Sequence, residues 1–294
     1  GNDSTAAISV GLQPSLTWIK RRNSAINHKI YDDVRGGTIS ITSNNSAAQV
    51  TTDTDGYLNT FTSDGFTCQT GATSFEYVNQ TGGTYASWNW KAGTTSGIVA
   101  GSQTITPSAY SINADAGFGI YKWSRTGAST TDYFSHGLGA TPTIAIQKRT
   151  DGVQDWYVNF TFLDGTMDYM YLNKTDTKYD GTTTLPTSTN YYPKSPETGD
   201  YITYVFCPVK GYSKFGIYYG TANANGPVID LGFRPAFVLI KPVNYTSAWN
   251  ITDNRRPGYQ PVAASNLSLN PNTSASTITE ARMQLMSNGF KLNT

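Results

Sequence analysis

"GFRPAFVLIK", Gly232 to Lys241, is a short apolar run entered through a proline and closed by a lysine. Similar stretches stand at Gly11 to Lys20, "GLQPSLTWIK", and at Gly139 to Lys148, "GATPTIAIQK". The run alternates weakly and is mostly apolar, the pattern of a strand buried on both faces. A proline at its start costs no ladder hydrogen bond. The closing lysine is expected to pack its aliphatic stem and keep its ammonium in water.

Aligned on Pro14, Pro142 and Pro235, other residues fall into register. His28, Trp156 and Trp249 share one offset, Asp32 and Asp253 a second, and Arg35 and Arg256 a third; the middle copy has Phe160 and Leu163 at the last two. "TSDGFTC" (62–68) answers "MSNGFKL" (286–292), and "GTYASWNW" (83–90) answers "GDYITYVF" (199–206). "FGIY" occurs verbatim at 118–121 and 215–218. The spacing predicts three divergent repeats of a β-sandwich-like unit: unit 1 over 1–92, a linker over 93–116, unit 2 over 117–210 and unit 3 over 211–294. Unit 1 is expected to lack its first strand and unit 3 its closing aromatic strand, as in a piece of a longer polypeptide. Asp-Gly and Asn-Gly mark turns that tolerate positive φ.

Composition agrees with an all-β class with little helix. Gly, Ser, Thr and Asn abound, Glu occurs only at 76, 197 and 280, and aromatics make up 13%. Weak helix formers and strong turn and strand formers therefore dominate. Only Thr277–Asn288 could form a weak helix. A net charge of +1 gives no bias toward nucleic acid or an anionic membrane. No apolar run is long enough for a transmembrane helix. Two cysteines, Cys68 and Cys207, make no disulfide framework and read as buried thiols.

The search for chemistry finds no nucleophile motif, P-loop or zinc spacing. "TTDTDGY" (51–57) lacks the acidic closing ligand of a calcium loop and reads as a polar turn. No metal or cofactor is called for. Asp32 with Arg35, and Asp253 with Arg256, read as structural ion pairs. Exposed Trp, Tyr and Asn are the residues that hold sugars, by stacking and by amide–hydroxyl pairing. Trp156, Trp249, Tyr191 and Tyr192 are the candidates for glycan contact, with burial in a core or an interface as the alternative.

"GYSKFGIYYGTANANGPVIDLGFRPAFVLIKPV", "WNITDNRR" and "LMSNGFKL" (within 211–292) resemble a repeated domain of unknown function. That domain is found in tail-fibre-like and other virion appendage proteins of marine bacteriophages, cyanophages included. The segments 10–93 and 116–123 are similar to its first and second units. The resemblance implies an all-β, non-enzymatic protein on the virion surface, a tail fibre or capsid-attached fibre. It implies contact with other virion proteins and host surface polysaccharide, and no catalytic residues. The alternatives are a capsid decoration protein and a tailspike-type polysaccharide depolymerase. The abundance of aromatics and the likeness to fibres lead to the expectation of a homotrimer.

Overall fold

Each proline phrase opens with a glycine in the left-handed region: φ is 78° at Gly11, 70° at Gly139 and 79° at Gly232. Nothing lies within 4 Å of where their Cβ atoms would stand, so backbone conformation rather than space calls for glycine there. A buried proline follows, and two residues later a strand begins. The computed structural model describes residues 1–98, 103–127, 132–194, 197–223, 225–256, 267–279 and 282–293. Among these, the chain is all-β and holds no helix.

The first stretch carries β1 (Ala6–Ser9), β2 (Leu16–Arg21), β3 (Lys29–Asp32), β4 (Ile39–Thr42), β5 (Val50–Thr51), β6 (Tyr57–Thr62), β7 (Gly65–Gln69) and β8 (Tyr85–Trp90). They form the sheets β1-β7-β6 and β5-β4-β3-β2-β8. The middle carries β9 (Ala109–Asn113), β10 (Phe118–Arg125), β11 (Phe134–Ser135), β12 (Ile144–Arg149), β13 (Tyr157–Phe160), β14 (Met167–Tyr171), β15 (Tyr179–Thr182), β16 (Asn190–Tyr191) and β17 (Gly199–Phe206). Seven of these make one sheet, β15-β14-β13-β12-β17-β10-β9, and β11 pairs with β16. The last stretch carries β18 (Asn225–Asp230), β19 (Phe237–Ile240), β20 (Asn250–Asp253), β21 (Leu267–Ser268), β22 (Ile278–Thr279), β23 (Met283–Leu285) and β24 (Gly289–Asn293). Here the sheets are β18-β24-β23, β19-β20 and β21-β22.

Registers can be compared directly. Leu16 stands opposite Asp32, Ile144 opposite Phe160 and Phe237 opposite Asp253, each pair at the same offsets from its proline. β8 meets β2 with Leu16 opposite Trp90, and β17 meets β12 with Ile144 opposite Phe206. The two Asx-Gly turns also match. Asp64 O accepts from Val10 N and Gly11 N, and Asn288 O from Leu231 N and Gly232 N.

The proline strands bury both faces because each serves two cores. Trp18, Ile146 and Leu239 point into one central cluster shared by all three stretches, which also holds Ile30, Trp88, Trp156, Val158, Trp249 and Ile251. The alternate residues Ile19, Ala145 and Val238 point into three separate clusters.

Three expectations need correction. The lysines closing the first two phrases are buried, not in water. Lys20 Nζ donates to Arg21 O and Ser24 O, and Lys148 Nζ to Arg149 O, Ser46 O and Gly152 O. Carbonyls at the strand's end replace water as the ammonium's solvation. The 93–116 stretch is not a plain linker: it contributes β9, and Ile105 and Ile112 enter a core; residues 99–102 lie outside those described. The weakly helical Thr277–Asn288 forms β22 and β23 instead. Met283 and Leu285 alternate inward against β24, so period-two packing overrides a marginal helix propensity; residues 280–281 lie outside those described.

Candidate functional site

Asp32 ends β3, and Arg35 stands in the turn that follows it. Asp32 Oδ1 accepts from Arg35 N at 2.8 Å, closing a tight turn, and Oδ2 meets Arg35 Nε at 2.6 Å. Arg35 Nη2 donates back to Ile30 O at 3.2 Å. Asp253, the last residue of β20, and Arg256 repeat this, with 2.9 Å for the turn, 2.6 Å for the ion pair and 3.0 Å from Nη2 to Ile251 O. All four residues are buried. Each carboxylate also receives a donor from another stretch. Tyr204 O–H donates to Asp32 Oδ2 at 2.7 Å, and Trp88 Nε1–H to Asp253 Oδ2 at 3.0 Å. Burial pushes the Asp253 carboxyl up, but the Arg256 charge and its hydrogen bonds outweigh this and hold it below the usual range. Phe160 and Leu163, at the matching middle positions, need no such donor.

Three of the four aromatic candidates for glycan contact are inaccessible. Trp156 is 0% exposed and Trp249 3%, and their indole N–H groups donate to Thr42 O and Tyr171 O, each at 2.9 Å. Tyr191 packs on Phe134 and accepts from Asn159 Nδ2 at 3.1 Å; burial raises its phenol well above the ordinary value. Tyr192 is half-buried beside Tyr133. Phenol and indole rings in a closed core cannot stack on a sugar, which removes Trp156, Trp249 and Tyr191 from that role.

These tryptophans sit instead at joints between stretches. Between first and middle, Gln154 N donates to Ser46 O and Gln49 N to Thr150 O, each at 3.0 Å. Between middle and last, Ser247 N donates to Thr175 O at 2.9 Å and Lys178 N to Val243 O at 3.0 Å. Lys148 Nζ reaches Ser46 O, and Lys241 Nζ reaches Thr175 O. The last stretch returns to the first: Thr277 N donates to Arg22 O at 2.7 Å, and Ser43 Oγ to Pro271 O at 2.8 Å. Sequence reading missed three asparagines that brace these joints. Asn44, Asn173 and Asn272 accept through Oδ1 from the backbone N–H of His28, Trp156 and Trp249. His28 takes the tryptophan's place in the first stretch, accepts from Trp18 Nε1 at 3.0 Å, and is held neutral by burial, with Lys20 adding to the effect.

Two surfaces do face solvent. On the outer side of β13, β14 and β15, the half-buried Tyr169 and Tyr171 and the exposed Tyr179 pack together over the buried Tyr157, at centroid distances of 5.1 to 5.6 Å. Lys194 lies over the Tyr169 ring and Lys174 over the Tyr171 ring. The alternation in "MDYMY" carried this signal, since Met170 turns inward and its tyrosine neighbours outward. Beside it, the carboxylates of Asp164, Asp168 and Asp180 gather within 4.8 Å of one another. The Lys178 ammonium bridges all three, so a cation of the chain's own already compensates them. Asp53, in the Asp-x-Asp-Gly turn, likewise holds Lys29 at 2.6 Å.

The second surface is a cleft of about 380 Å³ lined by Asp33, Val34, Thr95, Pro107, Tyr110 and Ser111, among others. Asp33 Oδ2 accepts from Ser111 Oγ at 3.2 Å, and the surrounding protein pushes its carboxyl up to about 6, chiefly by desolvation. This is one carboxyl among hydroxyls; among the described residues no second carboxyl lines the cleft to make an acid–base pair.

Compared with known families, residues 1–294 match the model of a domain of unknown function, DUF7483. No curated protein and no solved structure matches the chain.

Proposed function

We propose that this member of the domain-of-unknown-function family DUF7483 is a non-enzymatic structural protein of a bacteriophage particle. In this reading it is a surface appendage, a tail fibre or capsid-attached fibre, that meets host surface glycans. The virion assignment rests on the sequence resemblance to marine phage appendage proteins. The observation that carries the non-catalytic part is the use of the buried polar groups. Asp32, Arg35, Asp253, Arg256, Trp156 and Trp249 are committed to turns and joints, which leaves them no substrate to meet. The tyrosine face on β13–β15 supports the glycan part: clustered phenol rings and hydroxyls beside lysines and aspartates suit a polyhydroxylated ligand.

Mass spectrometry of purified particles, with labelled antibody in electron micrographs, tests the location. The protein is expected at the particle surface; its absence from particles overturns the reading. Incubation with host polysaccharide and measurement of reducing ends tests the chemistry. No turnover is expected, and a rate abolished by one Asp or Glu substitution would overturn it. A Tyr171→Ala, Tyr179→Ala variant is expected to lose retention on host polysaccharide while keeping its melting temperature.

A further inference from the structure

The three joints share one plan. Gln49 N donates to Thr150 O, Lys178 N to Val243 O and Thr277 N to Arg22 O, and the three acceptors stand at one offset from their prolines. Beside two of these bonds an indole crosses the joint, from Trp156 Nε1–H to Thr42 O and from Trp249 Nε1–H to Tyr171 O. Asn44 and Asn173 stand two residues beyond those carbonyls, and Asn272 by the same spacing marks Asn270 O as the third. At this last-to-first joint the tryptophan's place is held by His28, and the Asn270 carbonyl faces its ring. One joint of three is therefore built on a side chain that can take a proton.

The hydrogen bonds leave that proton no good position. His28 is 0% exposed. An indole N–H can only donate, so Nδ1, which accepts from Trp18 Nε1, carries a lone pair and the ring proton sits on Nε2. A second proton would go to Nδ1 and set N–H against N–H across that contact. The surroundings oppose the charge as well. Lys20 on β2 and Arg256 in the turn after β20 both face the ring, and both are cations. Asp253, the carboxylate beside Arg256, is taken by its guanidinium and by Trp88 Nε1–H. Lys29, next in the chain, is turned to Asp53. The segments that bring Asn44 and Asn270 to the ring, 39–49 and 267–279, carry no charged side chain.

We propose that the last-to-first joint is an acid-opened seam: protonation of His28 parts the first and last stretches there, while the two tryptophan joints hold. Burial, with Lys20 and Arg256 adding to it, holds the closed-state imidazole neutral well below the value near about 6.5 at which an exposed one takes its proton. The open seam therefore binds one proton more than the closed seam at mildly acid pH. Closure is complete above about pH 6.5 and weakens as pH falls below it, by about tenfold in the opening equilibrium per pH unit. The Trp156 and Trp249 joints have no group that titrates in this range, so acid selects one joint of the three.

Amide hydrogen exchange of the 294-residue chain, followed by NMR at about pH 7.5 and about pH 5.5 and corrected for the intrinsic pH dependence of exchange, reads each joint separately. The Thr277 amide is expected to exchange about tenfold faster at the lower pH, while the Gln49 and Lys178 amides of the other joints stay within about twofold. His28→Asn offers Oδ1 in place of Nδ1 and has nothing to protonate, so the acid step at Thr277 should vanish. His136→Asn, at the chain's other histidine, should leave that step unchanged. The His28 ring signal of the parent chain reads the same seam without a variant: it should keep its neutral position through about pH 6.5 for as long as Thr277 is protected. No acceleration at Thr277, equal acceleration at all three joints, or a step that survives His28→Asn would overturn the proposal. So would a His28 ring that titrates near about 6.5 with Thr277 still protected.

Discussion

Replacing Arg35 with leucine should be among the most damaging single changes to this fold. The Arg35 and Asp32 side chains are 1% and 0% exposed, so solvent cannot screen the carboxylate once the guanidinium is gone. Asp32 would keep the Tyr204 hydroxyl and the turn N–H but lose its counter-charge. Breaking a buried pair from one side costs about 3–5 kcal/mol, a large share of the roughly 5–15 kcal/mol that holds a typical domain. The chain itself supplies the control. The middle stretch fills the corresponding positions with Phe160 and Leu163. Copying that solution, Asp32→Phe with Arg35→Leu and Tyr204→Phe, removes the charge and its partners together. Exchanging a buried pair for apolar residues is often neutral or stabilising, offset by about 1–3 kcal/mol of overpacking. Urea unfolding followed by tryptophan fluorescence should therefore place the triple variant closer to the parent than Arg35→Leu alone. A single variant within about 1 kcal/mol of the parent, or a triple variant worse than the single, would refute the reasoning.

Trp249→Phe keeps most of the ring but removes the indole donor to the Tyr171 carbonyl, which retains the longer bond from Lys174 N at 3.4 Å; a loss of about 0.5–1.5 kcal/mol is expected in the same assay, with no change if the joint is dispensable. Burial pulls the Lys148 ammonium down to about 8, below its value in the unfolded chain, so the unfolded state binds more protons between the two. Stability should therefore rise as pH climbs from about 8 toward 10, and Lys148→Met should flatten that rise. Burial pushes both Cys68 and Cys207 thiols up to about 12, so a thiol reagent at pH 8 should label them only as fast as the chain opens; immediate labelling would contradict their placement.

The strands around the prolines were legible because their signals are local: a glycine, a proline, then β-branched residues in a run. The Asp-x-x-Arg turns were equally legible, since three residues of spacing set the hydrogen bonds. Burial was not. "WYVN" and "WNIT" read alike whether the indole meets solvent or the neighbouring stretch, because the deciding partner, Thr42 or Tyr171, lies far away in sequence. For the buried Lys148 the same reason holds in part, since Ser46 O belongs to another stretch, whereas the carbonyls that hold Lys20, Arg21 O and Ser24 O, are local and only the folded turn brings them onto the ammonium. The tyrosine face was missed because Tyr179 joins Tyr169 only after β14 and β15 pair.

The central claim is that the three proline-centred stretches are one body, joined by the same contacts and closed from last to first. Scanning calorimetry of the parent chain beside Trp156→Ala tests it most directly, since that substitution cuts one joint and leaves the other two. A single transition in both proteins, shifted down as a whole in the variant, is the predicted result. Separate transitions, with only those of the first and middle stretches displaced, would contradict it.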